Sequence, residues 1–228
     1  MPGKALAQIN DEDALKDLKT YFDIEGNGRP LFTGSRFDTF AGGGDNVEAN
    51  RITSDDLIAV SMLSVHVPAE AALGILGSHA EKISELLIRI PKDLKFETLT
   101  TKEFQQYLAS ESPAVQLWQL LRQQGDRWGV GQTTASKIMA RKRPQLIPIY
   151  DSVVAMEVGI RGSSTQWDRW HQAFIESSDG GANLIERLEL IRTASGQTHL
   201  SLLRVLDIVL WRNGRRKRNT PDPALENE

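Results

Sequence analysis

From Thr53 to Trp211 the sequence is punctuated for helices and for little else. "RITSDDLIAV" places Asp56 three residues after Thr53, the spacing of a capping box, and Leu57, Val60, Leu63 and Ser64 continue at helical intervals. Pro68 ends one helix and starts the next. Ser112 before Pro113 repeats the start signal, because proline lacks only an N–H that the first turn does not use. Further helical segments run over 79–90, 101–109, 113–124, 132–142, 149–158, 165–177, 182–193 and 200–211, and strand alternation is nearly absent. An all-α fold is expected.

A chain of 228 residues buries enough surface for one domain, or for two small lobes around a cleft. Three regions are expected. Residues 1–50 combine an acidic amphipathic helix over 11–22 with a glycine-rich arm, "GNGRPLFTGSRFDTFAGGGDN", carrying Phe32, Phe37 and Phe40. These phenylalanines either pack on the helical core or line a base pocket, with Arg36 and Asp38 of "FTGSRFD" as polar pocket candidates. "GGGD" is not followed by Gly-Lys-Ser/Thr, so no nucleotide cofactor is expected. Residues 51–214 form the helical domain, and 215–228 a basic, then acidic, disordered tail.

Composition removes several chemistries. The chain has no cysteine, which excludes disulfides, thiolate nucleophiles, iron–sulfur clusters and cysteine-ligated zinc. His66, His79 and His199 show no metal-ligand spacing, so no metal and no cofactor are expected. Trp167, Trp170, His171 and Phe174 fall at helical spacing and are expected in the core. The mainly apolar run over 57–67 is about half the ~20 residues of a membrane span. With no signal-peptide pattern before it, a cytoplasmic protein without a membrane partner is expected. Net charge is only −3, so any affinity for nucleic acid would come from local patches: Lys137, Arg141, Lys142 and Arg143, and the run 212–218.

The segments 113–124 and 132–142 are joined by "GDRWGVG", which makes 113–143 a helix-hairpin-helix. Glycines at 129 and 131 permit positive φ and close approach of another backbone. The amides of Val130, Gly131 and Gln132 lie at a helix N-terminus, where a phosphate is favoured. Gly129, Thr134, Lys137 and Arg141 complete the candidate contacts to double-stranded DNA.

"GVGQTTASK" and "PQLIPIYDSVV" together resemble the helix-hairpin-helix DNA glycosylase superfamily, endonuclease III-like in type. Its members read Gly-Val-Gly, two variable positions and Thr-Ala, followed by a catalytic aspartate beyond a proline-containing connector. Asp151 occupies that place, 18 positions after Thr133. The resemblance covers about 27 of the 228 residues. "FTGSRFD" and "RITSDDLIAVSML" also look like an uncharacterised bacterial family, a likeness that supplies no activity.

The glycosylase resemblance implies base flipping and an Asp151 carboxylate that stabilises the developing sugar cation or orients water. Aspartate is also a favoured helix N-cap, and the two roles are compatible. Thr133 stands where strand-cleaving members have lysine, which implies a monofunctional enzyme, with Lys137 one turn later as a displaced nucleophile the alternative. Tyr150 replaces the usual aliphatic residue before the aspartate, placing a ring or hydroxyl beside the pocket. Two other classes stand beside this reading: a non-catalytic DNA-binding module, and a helical interaction protein whose glycine turn merely packs.

Overall fold

The computed structural model describes residues 1–123, 128–178 and 183–219. The fold is all-α, with twelve α-helices and no strand among the described residues beyond an isolated bridge between Ile24 and Pro30. The helices are α1 (Pro2–Ala7), α2 (Asp11–Tyr21), α3 (Ser54–Ser61), α4 (Ala69–Leu73), α5 (Ala80–Ile88), α6 (Thr101–Tyr107) and α7 (Pro113–Arg122). They continue as α8 (Gln132–Lys142), α9 (Ser152–Val158), α10 (Gln166–Ser178), α11 (Leu184–Ala194) and α12 (Leu202–Asn219). No helix among the described residues is long and apolar enough to cross a membrane.

The start signals act as the sequence implies. Thr53 Oγ1 accepts the Asp56 amide at 3.3 Å, while Asp56 Oδ2 accepts the Thr53 amide at 2.9 Å, the reciprocal bonds of a capping box. Thr100 and Glu103 form a second box at α6, and Ser112 caps α7 with Pro113 in its first turn. Each such cap is worth about 1 kcal/mol.

Helix α12 is the centre of the core. Leu202, Leu203, Val205, Leu206, Ile208, Val209 and Leu210 are all buried, as expected of a surrounded helix, with Arg204 and Asp207 the charged residues among them. It packs against α9, α2, α11 and α1. Leu6, Ile9, Leu18 and Phe37 join the same core, so residues 1–50 are built into it rather than set apart. Trp170, His171 and Phe174 are buried as expected, with the His171 ring stacked on Phe104.

Two expectations about charge are corrected. Residues 215–219 continue α12 instead of beginning a tail; Gly214 lies inside the helix, where a Cβ would come within 2.6 Å of Val153 on α9. Arg212 and Arg216 pair with the buried Asp17 of α2, and Lys217 pairs with Glu157 of α9 at 2.7 Å, which ties the basic end down. The remainder of the tail, 220–228, lies outside the described residues.

The second correction concerns the cluster at 137–143, whose four basic residues are all buried. Arg141 Nε and Lys142 Nζ lie 3.1 and 2.9 Å from the two oxygens of Asp56, so the capping carboxylate of α3 is also their counter-ion. Arg141 further donates to the carbonyls of Phe37, Asp38 and Phe40, pinning the glycine-rich arm. Arg143 donates to the carbonyls of Ile90, Ala49 and Leu87. Buried charges persist only when paired or hydrogen-bonded in this way.

Candidate functional site

Helices α7 and α8 pack on each other where the sequence reads as a hairpin; residues 124–127 between them lie outside the described residues. Trp128 is buried, and its indole N–H donates to the Leu121 carbonyl at 2.9 Å, anchoring the turn on α7. Gly129 has φ +81° and packs on Pro68, a conformation costly for any residue with a Cβ. Val130 points into the core, whereas Gly129 and Gly131 are exposed. Gly131 caps α8 without a side-chain bond, and a Cβ placed on it meets no atom within 4 Å. Gln132 is partly exposed and its side chain accepts the Ser163 amide, while Thr134 is buried.

Beyond α8 the chain runs extended through Ile149 and Tyr150 to Asp151. Ile149 and Asp151 line one cavity, while Tyr150 is buried in the core and does not line it. Tyr150 is thereby corrected as a pocket residue: its ring is buried and its amide donates to Ser136 Oγ at 3.0 Å. Asp151 caps α9, Oδ1 accepting the Val153 amide at 2.8 Å, and its side chain keeps 18% exposure.

The cavity beside Asp151 has a volume of about 440 Å³. Thr133 and Lys137, one turn apart on α8, line it together with Ile149, Asp151 and Ser152. Lys137 Nζ donates to the Leu63 carbonyl at 2.8 Å and reaches Asp151 Oδ2 at 3.5 Å. Burial pushes its pKa down, against the opposing pull of Asp151 and Asp207. Lys137 and Arg141 are thus corrected as phosphate contacts, since both side chains point inward and are engaged by protein atoms.

Phe32 of the glycine-rich arm lines the same cavity, as one of the two expectations for its phenylalanines has it, together with Tyr21, Arg204, Asp207 and Trp211, which the sequence reading did not single out. Tyr21 of α2 stacks on Phe32 of the arm, and both rings meet Trp211 of α12 edge-on. Arg204 and Asp207, also on α12, form an ion pair at 2.5 Å. Burial pushes the Asp207 carboxyl up to about 6 despite that pairing. Arg204 also donates to Tyr21 Oη and the Gly34 carbonyl, at 3.1 and 3.0 Å, and to Asp38 Oδ2 at 3.1 Å. Asp38 therefore supports the cavity from behind, while Arg36 is exposed and does not line it. The legible signal was two charged residues at i, i+3 inside the apolar helix "LLRVLDIVLW".

Among the described residues no group of three or more His, Cys, Asp or Glu side chains would hold a metal ion. The family described as DUF6308, a family of unknown function, matches residues 14–214. The chain belongs to it. That span takes in Tyr21, Phe32, Lys137, Asp151, Arg204, Asp207 and Trp211, so the whole cavity constellation described above is DUF6308 sequence. No curated protein and no solved structure matches the chain.

Proposed function

We propose that this DUF6308 chain is a monofunctional DNA glycosylase that receives a flipped base in the cavity at Asp151. The observation that carries the reading is the Asp151 carboxylate itself, held by its capping bond in the lining of a cavity of about 440 Å³, in the segment that follows α8. That volume falls within the ~300–1,000 Å³ of small-ligand clefts. Phe32 and Trp211 offer aromatic surface for a base, and Asp151 lines the same cavity and would stabilise a sugar cation there. Gly131, exposed at the start of α8 with nothing within 4 Å of where a Cβ would stand, leaves room for a phosphodiester against backbone amides. Arg215, which lines the cavity, and the exposed Arg218 add positive charge on α12.

The test is incubation with duplexes carrying uracil, hypoxanthine, 8-oxoguanine or 7-methylguanine, followed by alkali. Alkali-labile sites at one of these bases are expected. Salt-dependent duplex binding without base release would instead make the chain a non-catalytic binding module, and absence of duplex binding would leave a helical interaction protein.

A further inference from the structure

The cavity holds a second carboxylate to which base release by Asp151 assigns no role. Asp151 enters from the start of α9 and Asp207 from the middle of α12, so the two acids approach one space from different elements. Their surroundings differ. Both oxygens of Asp151 accept hydrogen bonds, one from the Val153 amide and one from the Lys137 ammonium. Asp207 keeps only 11% exposure and has Arg204 on Oδ2. Arg204 is itself shared with Asp38 and Tyr21, so its charge is not reserved for Asp207.

Two carboxyl groups flanking a scissile bond to an anomeric carbon, in environments that separate their protonation, divide acid work from electrostatic or base work. We propose that Asp207 is the general acid of this cavity, delivering its proton to the departing base, and that the cavity takes neutral bases, which need that proton, rather than bases already cationic. This rests on the glycosylase reading.

The step balances as a hydrolysis. As the C1′–N bond breaks, its electron pair stays with the base, and the Asp207 proton passes to that base. Water adds through its oxygen to C1′ and gives a proton to Asp151. Exchange with solvent then reprotonates Asp207 and deprotonates Asp151. Burial, which raises the Asp207 pKa to about 6, keeps the acid mostly protonated below that pH and protonated in part above it. The groups facing Asp207 are Arg204 on its own helix, Lys137 on α8 and Asp151 before α9, with Tyr21 of α2 and Asp38 of the arm acting through Arg204.

The experiment is single-turnover release, from pH 5 to 9, of hypoxanthine, uracil and 8-oxoguanine as neutral bases and of 7-methylguanine as a cationic one. It is run with the full chain and with Asp207→Asn, which retains an oxygen for Arg204. General acid catalysis typically contributes ~10²- to 10⁴-fold. Release of a neutral base is expected to slow in the variant by ~10²-fold or more, while any release of 7-methylguanine changes little. The parent's neutral-base rate should also fall as pH rises above about 6, a limb that the variant lacks. Equal loss on neutral and cationic bases, unchanged release of the neutral base, or a parent protein that releases only 7-methylguanine would overturn the assignment while the glycosylase reading stands. Failure of the parent to release any of the four would overturn both. Should Asp207→Asn fail to fold, the parent's own pH profile decides: a neutral-base rate that does not fall above about pH 6 rejects the acid.

Discussion

Lys137 Nζ stands 3.5 Å from Asp151 Oδ2, inside the molecule rather than on its surface. The lysine comes from α8 and the aspartate from the start of α9, so this contact joins the hairpin to the cap of the next helix. Its second bond, to the Leu63 carbonyl, also fixes the loop after α3 that forms part of the cavity wall. A lysine that reads as a phosphate contact is therefore part of the candidate site's frame.

Asp151→Asn separates catalysis from capping. Asparagine caps about as well as aspartate but takes the counter-ion from the buried Lys137, so some loss of stability is expected, and thermal melting reads it separately from the rate. Removing a preorganised charge at the reacting sugar typically costs ~10²- to 10³-fold in rate. Single-turnover release and thermal melting of the same variant check this, and unchanged release would remove Asp151 from the chemistry.

Base release should leave an intact abasic strand. Thr133 has no amine to form a Schiff base, and Lys137, although in the same cavity, donates its protons to Leu63 and Asp151. Borohydride during turnover is expected to trap no protein–DNA adduct. A trapped adduct that disappears in Lys137→Ala would make Lys137 the nucleophile.

Gly131 and Arg141 should behave in opposite ways. A side chain at Gly131 meets nothing in the fold, so Gly131→Leu should cost no more than ~1 kcal/mol of stability, the scale of a lost cap, yet weaken duplex binding by obstructing the backbone. Arg141→Ala leaves three arm carbonyls and part of Asp56 without their donor, and breaking a buried pair costs ~3–5 kcal/mol. Denaturant unfolding and a salt titration of binding test both. The glycine-turn interface is wrong if Gly131→Leu binds like the parent, and the burial of Arg141 is wrong if its variant loses affinity without losing stability.

What the sequence disclosed depended on the range over which each feature acts. Helix starts at Thr53 and Ser112 are local, because a cap and its partner lie three residues apart. Thr133 and Asp151 were legible as neighbours for a similar reason: one helix and one connector bring them together. Of the aromatic wall, Phe32 was raised by the composition of the arm, but Tyr21 and Trp211 were not, since they come from distant elements that meet only when α12 packs on α2. The direction of Lys137, Arg141, Lys142 and Arg143 was likewise hidden. A basic run on a helix looks solvated until its acceptors are known, and here they are Asp56, Asp151 and carbonyls contributed from residues 37 to 90.

The pH dependence of stability should carry the mark of Asp207. Its folded pKa of about 6 lies above the ordinary 3.8, so between those values the folded chain binds more of this proton than the unfolded chain does. The resulting stabilisation is fully present below about pH 3.8 and is lost as pH rises through about 6. A shift of this size corresponds to ~3 kcal/mol at 1.36 kcal/mol per unit. Other groups titrate in the same range, so the quantity to follow is the difference in unfolding free energy between the parent and Asp207→Asn, from urea titrations at steps between pH 4 and pH 7. That difference should move against the parent as pH rises and level off above about 6. A difference that stays constant across the range would mean that Asp207 is already ionised throughout, held so by Arg204, and with no proton to give it would serve only to orient that guanidinium.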